Sequence, residues 1–174
     1  MKALIVYESM LGTTEAIARA VAERLEMSFD VTVADVRTLP AAGDTDLLIV
    51  GAPTHAFSMS RHRTRADATW HGRRKARAPE IGIREYLDCS PWLTGIHAAA
   101  FDTALRKPSL PGSAARKAYR RLDGLGCHML TAAKSFYVTT ATGPLLDGEL
   151  ERARRWADTV AATVLAVRRP ASTM

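Results

Sequence analysis

Cysteine, aromatic residues and long apolar runs are all scarce in this 174-residue chain, and each scarcity narrows what it can be. Its two cysteines, Cys89 and Cys127, are far apart and form no C-x-x-C, so neither a zinc site nor a disulfide framework is indicated. Both read as reduced thiols packed as small hydrophobes. No stretch reaches the roughly 20 apolar residues of a membrane span, and Lys2 leads directly into an apolar segment without a leader-like region. The expectation is a cytoplasmic protein. There is no Ser-His-Asp order, H-E-x-x-H, paired-carboxylate pattern or G-x-x-x-x-G-K-[ST], so hydrolase, zinc-protease and triphosphatase readings lack support. No residue stands out as catalytic, and no metal ligands are expected. Aromatics are 6% of the chain. Trp92 and Trp156 read as core or edge packing, and Trp70, in a basic stretch, is left unassigned.

What is present is an ordinary balance, 47% hydrophobic and 24% charged, too apolar for a disordered chain. The length suits one domain, expected over residues 1–170, with 171–174 a disordered tail beyond Pro170. Charge is unevenly placed. Residues 61–79 hold seven basic residues against the single acid Asp67, which is the whole net charge of +6; elsewhere seventeen of each sign cancel. Such a stretch is a solvated face that serves solubility, or a surface that steers an acidic partner.

Lys2–Tyr7 is a short apolar run that reads as a buried strand. Ile17, Val21 and Leu25 recur every four residues, giving one apolar face to a helix from Thr14 to Leu25, with Thr13 or Thr14 as its cap. Further strands are expected at 30–34, 46–51 and 97–101. A fifth covers 128–130, with 136–138 continuing it or lying beside it. Helices are expected at 80–87, from Gly112-Ser113 to about Leu125, and from Asp147 onward, where Leu150, Ala153, Ala157, Val160, Val164 and Val167 keep helical spacing. Strands alternating with helices imply a parallel sheet covered on both faces.

Ligands of such sheets sit beyond the carboxyl ends of the strands, where successive connections leave in opposite directions. That rule selects the loops after Tyr7, Gly51 and Phe101. The first, Ser9, Met10, Leu11, Gly12, Thr13 and Thr14, combines hydroxyls, a glycine and a helix start, which suits a phosphate or equally a simple helix cap.

Here the chain resembles the flavodoxins, whose S/T-x-x-G-N-T pattern after the first strand binds the phosphate of flavin mononucleotide (FMN). Tyr7 to Glu15 matches it with Thr13 in the Asn position, and Gly143 to Glu149 resembles the lead into the family's last helix. The resemblance implies a three-layer α/β sandwich around a five-stranded parallel sheet of order 2-1-3-4-5, with FMN as cofactor. It also implies that Pro53, Thr54, His55, Ala56, Phe57 and Ser58 border the flavin ring. Asp102, Thr103 and Ala104 correspond to the other bordering segment, which lacks the family's stacking aromatic. Asp102 there either caps the following turn or lies at the flavin edge.

The expected function is an FMN-binding redox protein that carries electrons or reduces a small, quinone-like acceptor, its partner possessing an acidic surface if the basic stretch steers. The alternatives are a flavodoxin-type oxidase acting on a protoporphyrinogen-like substrate and an FMN-free interaction module. Nucleic acid is not favoured as a partner, since the basic stretch contains no reading motif or aromatic platform.

Overall fold

The computed structural model describes residues 1–54, 58–65, 80–106 and 112–168. Strands β1 (Lys2–Tyr7), β2 (Asp30–Asp35), β3 (Leu47–Pro53), β4 (His97–Leu105), β5 (His128–Met129) and β6 (Lys134–Val138) form one sheet. The order is β2-β1-β3-β4-β5, and every pairing between these strands is parallel. β5 pairs with the start of β4 and β6 with its end, so the two share the fifth position as successive pieces.

Helices α1 (Thr13–Leu25) and α4 (Glu149–Arg168) cover one face, and α2 (Ile83–Asp88) and α3 (Ala114–Gly124) cover the other. The two-residue period of the strands assigns each side chain to its layer. Ile5, Leu47, Ile49, Ala99 and Phe101 face α1 and α4. Leu4, Val6, Leu48, Val50, Ala98 and Ala100 face α2 and α3. The expected apolar stripe of α1 is in place, with Ile17, Val21 and Leu25 all fully buried. Between β2 and β3 a single 3-10 turn, Val36–Thr38, replaces the helix that regular alternation would supply.

Three further expectations are corrected. Trp92 is 77% exposed, because Leu93 and Ile96 beside it already fill the edge of the core. Cys89 is exposed at the end of α2, whereas Cys127 is buried as expected. On α4, Ala153, Ala157, Val160 and Val164 are buried, but Leu150 and Val167, near the helix ends, are exposed. Trp156 is buried in a cluster with Phe101 and Phe136, every ring pair meeting edge-to-face at about 6 Å. Trp70 and the tail 171–174 lie outside the described residues.

Candidate functional site

The chain leaves β1 toward the α1 face and leaves β3 toward the α2 face, although the two strands are neighbours. Such a reversal opens a crevice at the carboxyl end of the sheet.

Gly12 caps α1 in the left-handed region, with φ of 89°, and its N–H donates to Ser9 Oγ at 3.0 Å. The cap is therefore Gly12 rather than Thr13 or Thr14, since only a residue without Cβ takes that φ without strain. Among the described residues no side chain caps the helix. A Cβ built on Gly12 would meet nothing within 4 Å, so the space before the first turn is open. Thr14, 1% exposed, points inward, and its hydroxyl pairs with that of Thr103 at 2.8 Å. Met10 is half-buried and Leu11 exposed.

Helices α2 and α3 differ from α1. Glu85 reaches back to the Gly82 N–H at 2.8 Å, and Glu8 accepts from the Ile83 N–H at 2.9 Å. Ser113 caps α3, accepting from the Arg116 N–H at 3.1 Å, while Asp102 Oδ2 accepts from the Ala115 N–H at 3.0 Å. Of these three helix starts, α1 alone has no side-chain acceptor among the described residues for any of its first-turn donors.

The third candidate segment is strand rather than loop. β4 runs on through Asp102, Thr103 and Ala104 because β3 pairs with it as far as Thr103 and β6 as far as Leu105. Polar residues are tolerated there because their partners are internal. Asp102 is fully buried, and its Oδ2 also accepts from Thr54 Oγ at 2.9 Å and Ser113 Oγ at 2.6 Å. Its Oδ1 has no partner among the described residues. Asp102 thus fastens the start of α3, the turn-capping alternative. Thr54 completes the link, donating its N–H to the Thr103 carbonyl and accepting from the Ala114 N–H at 2.9 Å each. Pro53 pairs with Thr103, and Ala104, half-buried, pairs with Tyr137. Ser58 is buried and accepts from Arg84 at 3.0 Å. His55, Ala56 and Phe57 lie outside the described residues.

Hydrogen bonds therefore join Thr14, Thr103, Thr54, Asp102 and Ser113 across the ends of β1, β3 and β4. A second buried cluster lies beside them. Glu8, 3% exposed, accepts from Ser60 and Ile83, and burial pushes its carboxyl above the ordinary range against those bonds and the nearby Arg65. Arg65, fully buried, donates to Ser60 Oγ at 2.8 Å and to the Glu80 carbonyl at 2.7 Å, and lies 3.1 Å from Glu85. A Cβ on Gly82 would come within 2.5 Å of Glu8 and 2.6 Å of Arg65. Sequence reasoning missed this cluster because Arg65 sits among exposed arginines; the one usable signal is the acid Glu8 directly after a buried strand.

Residues 5–76 match the flavodoxin family model. Among solved structures, the chain is similar to oxidised Flavodoxin 1 from Bacillus cereus, at 17% identity and a TM-score of 0.67, over 93% of this chain and 98% of that one. It is likewise similar to a flavodoxin from the domain Archaea, at 21% identity and a TM-score of 0.68, covering 95% and 99%. The fold is flavodoxin-like. No curated protein matches it in sequence. The family match implies FMN as cofactor, and the first turn of α1 behind Gly12, open and without a capping side chain among the described residues, fits its phosphate. Among the described residues no helix is long and apolar enough to cross a membrane.

Proposed function

We propose that the chain is an FMN-binding electron carrier that holds the cofactor's phosphate on the Ser9–Thr14 loop. The observation that supports this most directly is the contrast between helix starts: α2 and α3 have carboxylate or hydroxyl acceptors, and α1, at the switch point of the sheet, has none among the described residues. Its first-turn N–H groups and positive dipole end are available to an external anion. Ser9 orders the loop through Gly12, and the Thr14–Thr103 pair ties it to β4, so the donors are set before the ligand arrives. Pro53–Ser58 borders the ring in this reading. Asp102 and Thr103 act from behind it, holding the loops rather than touching the flavin. FMN supplies one- or two-electron exchange when bound, while the protein positions it and limits water. The acceptor is a partner protein or a small quinone-like molecule.

Titration of the purified protein with FMN and with riboflavin, followed by flavin fluorescence, tests the phosphate assignment. FMN is expected to bind at least about tenfold more tightly, since charge-assisted bonds to the phosphate are the strong ones. Gly12→Glu, which puts a carboxylate and a strained φ at the phosphate position, should abolish that preference. Equal affinities for the two flavins would overturn the assignment.

A further inference from the structure

The charges of α3 are arranged against the helix's own stability. Its first turn contains no acid, while Arg116 and Lys117 stand near its N-terminus, where the dipole disfavours cations. Arg116 with Arg120, and Lys117 with Arg121, are like charges four residues apart, a spacing that repels along a helix. Arg121 is relieved by Asp88 at 2.7 Å. Arg116, Lys117 and Arg120 are exposed and have no carboxylate partner among the described residues. Arg106, exposed just beyond the end of β4, adds a fourth cation.

The place of this patch is set by the site itself. The Ala114 and Ala115 N–H groups are fastened to Thr54 and Asp102 at the ends of β3 and β4, so α3 begins at the end of the sheet that contains the crevice. From Arg116 to Arg120 the axis advances about 6 Å, so the cations start within a turn of that end and continue down the side of the molecule. An outward helix face offers spaced point charges without a concave wall. That shape suits the surface of another protein better than it suits a small anion.

We propose that Arg106, Arg116, Lys117 and Arg120 form the docking face for an acidic redox-partner protein, whose carboxylates meet the α3 cations and bring its redox centre toward the crevice. This rests on the electron-carrier reading, since a carrier has to present its cofactor edge to a partner. Local repulsion within α3 is offset when a negatively charged surface covers it.

The probe is an acidic plant-type [2Fe–2S] ferredoxin, titrated in its oxidised form against the purified protein by calorimetry over a salt series. The test variant is Arg116→Gln/Lys117→Gln/Arg120→Gln. A control, Arg19→Gln/Arg24→Gln/Arg155→Gln, removes the same charge from exposed positions on the α1/α4 face. Wild type should bind most tightly near 0.01 M ionic strength and much more weakly near 0.15 M, as the screening length falls from about 30 to about 8 Å. The α3 variant should bind about tenfold more weakly at low salt with a flatter salt dependence, and the control should stay within about twofold of wild type. No association of wild type at low salt, an α3 variant equal to wild type, or a control that loses as much would each overturn the docking face. The titration does not require flavin, so failure of FMN uptake refutes the cofactor reading separately. Patch-independent association refutes the docking face alone.

Discussion

Replacing Asp102 by alanine should be among the more damaging single changes at the carboxyl end of the sheet. Its Oδ2 accepts from Thr54, Ser113 and the Ala115 N–H, and the group is fully buried. Hydrogen bonds to a charged acceptor contribute about 1.5–3 kcal/mol each, but hydroxyls can turn to other partners, and Ser113 already accepts from Arg116. Removal also relieves the cost of burying Oδ1 without a partner. The balance is a loss of about 3 kcal/mol for Asp102→Ala and about 1–2 kcal/mol for Asp102→Asn, which keeps one acceptor. For a chain of this size the larger figure lowers Tm by roughly 6–12 °C. Urea unfolding followed by circular dichroism measures it. A double-mutant cycle with Ser113→Ala should give a coupling above about 1 kcal/mol, because the two side chains share a bond. If Asp102→Ala unfolds within about 0.5 kcal/mol of wild type, the carboxylate does not fasten α3 and the positioning role assigned to it fails.

Two further outcomes follow from buried titratable groups. Burial raises the Glu8 carboxyl above its ordinary value of 4.5, so the folded state holds a proton that the unfolded chain releases near that pH. Wild type should therefore be most stable relative to Glu8→Gln below that value and lose the advantage as pH rises through the folded one; urea midpoints whose difference stays flat with pH would refute the sign. Burial also pushes the Cys127 thiol up to about 11, while Cys89 is exposed, so Ellman's reagent should titrate one thiol in the native protein and two in denaturant. Prompt reaction of two native thiols would contradict the packing of Cys127.

How far the sequence reveals this molecule depends on whether a residue's environment is local. The runs Lys2–Tyr7 and Leu47–Pro53 and the four-residue recurrence of Ile17, Val21 and Leu25 report burial directly, since period and apolarity are local properties. The first loop is legible as a helix start containing a glycine, but not which residue caps it, because the choice of Gly12 over Thr13 or Thr14 rests on a backbone φ that no local pattern reports. Asp102 and Thr103 are not legible. They read as the end of a strand because polarity normally means exposure, yet their partners Ser113, Thr54 and Thr14 come from other parts of the chain. Arg65 illustrates the same limit, since Glu8 is flagged by its place after a buried strand but no local pattern announces which distant cation will be buried beside it. Trp92 errs the other way, a large apolar residue left outside because its neighbours suffice.

The Arg65 guanidinium, bonded to the Glu80 carbonyl and held beside Glu8, has a consequence for how this fold can change over time. It ties Ser60, on the chain leaving β3, to Glu80, which leads into α2, at the very end of β1. One side chain thus serves as a crosslink among three parts of the sequence, and its burial makes each of them depend on the other two. A lineage that loses the arginine has to replace the acid beside it as well, so the two positions are bound to change together.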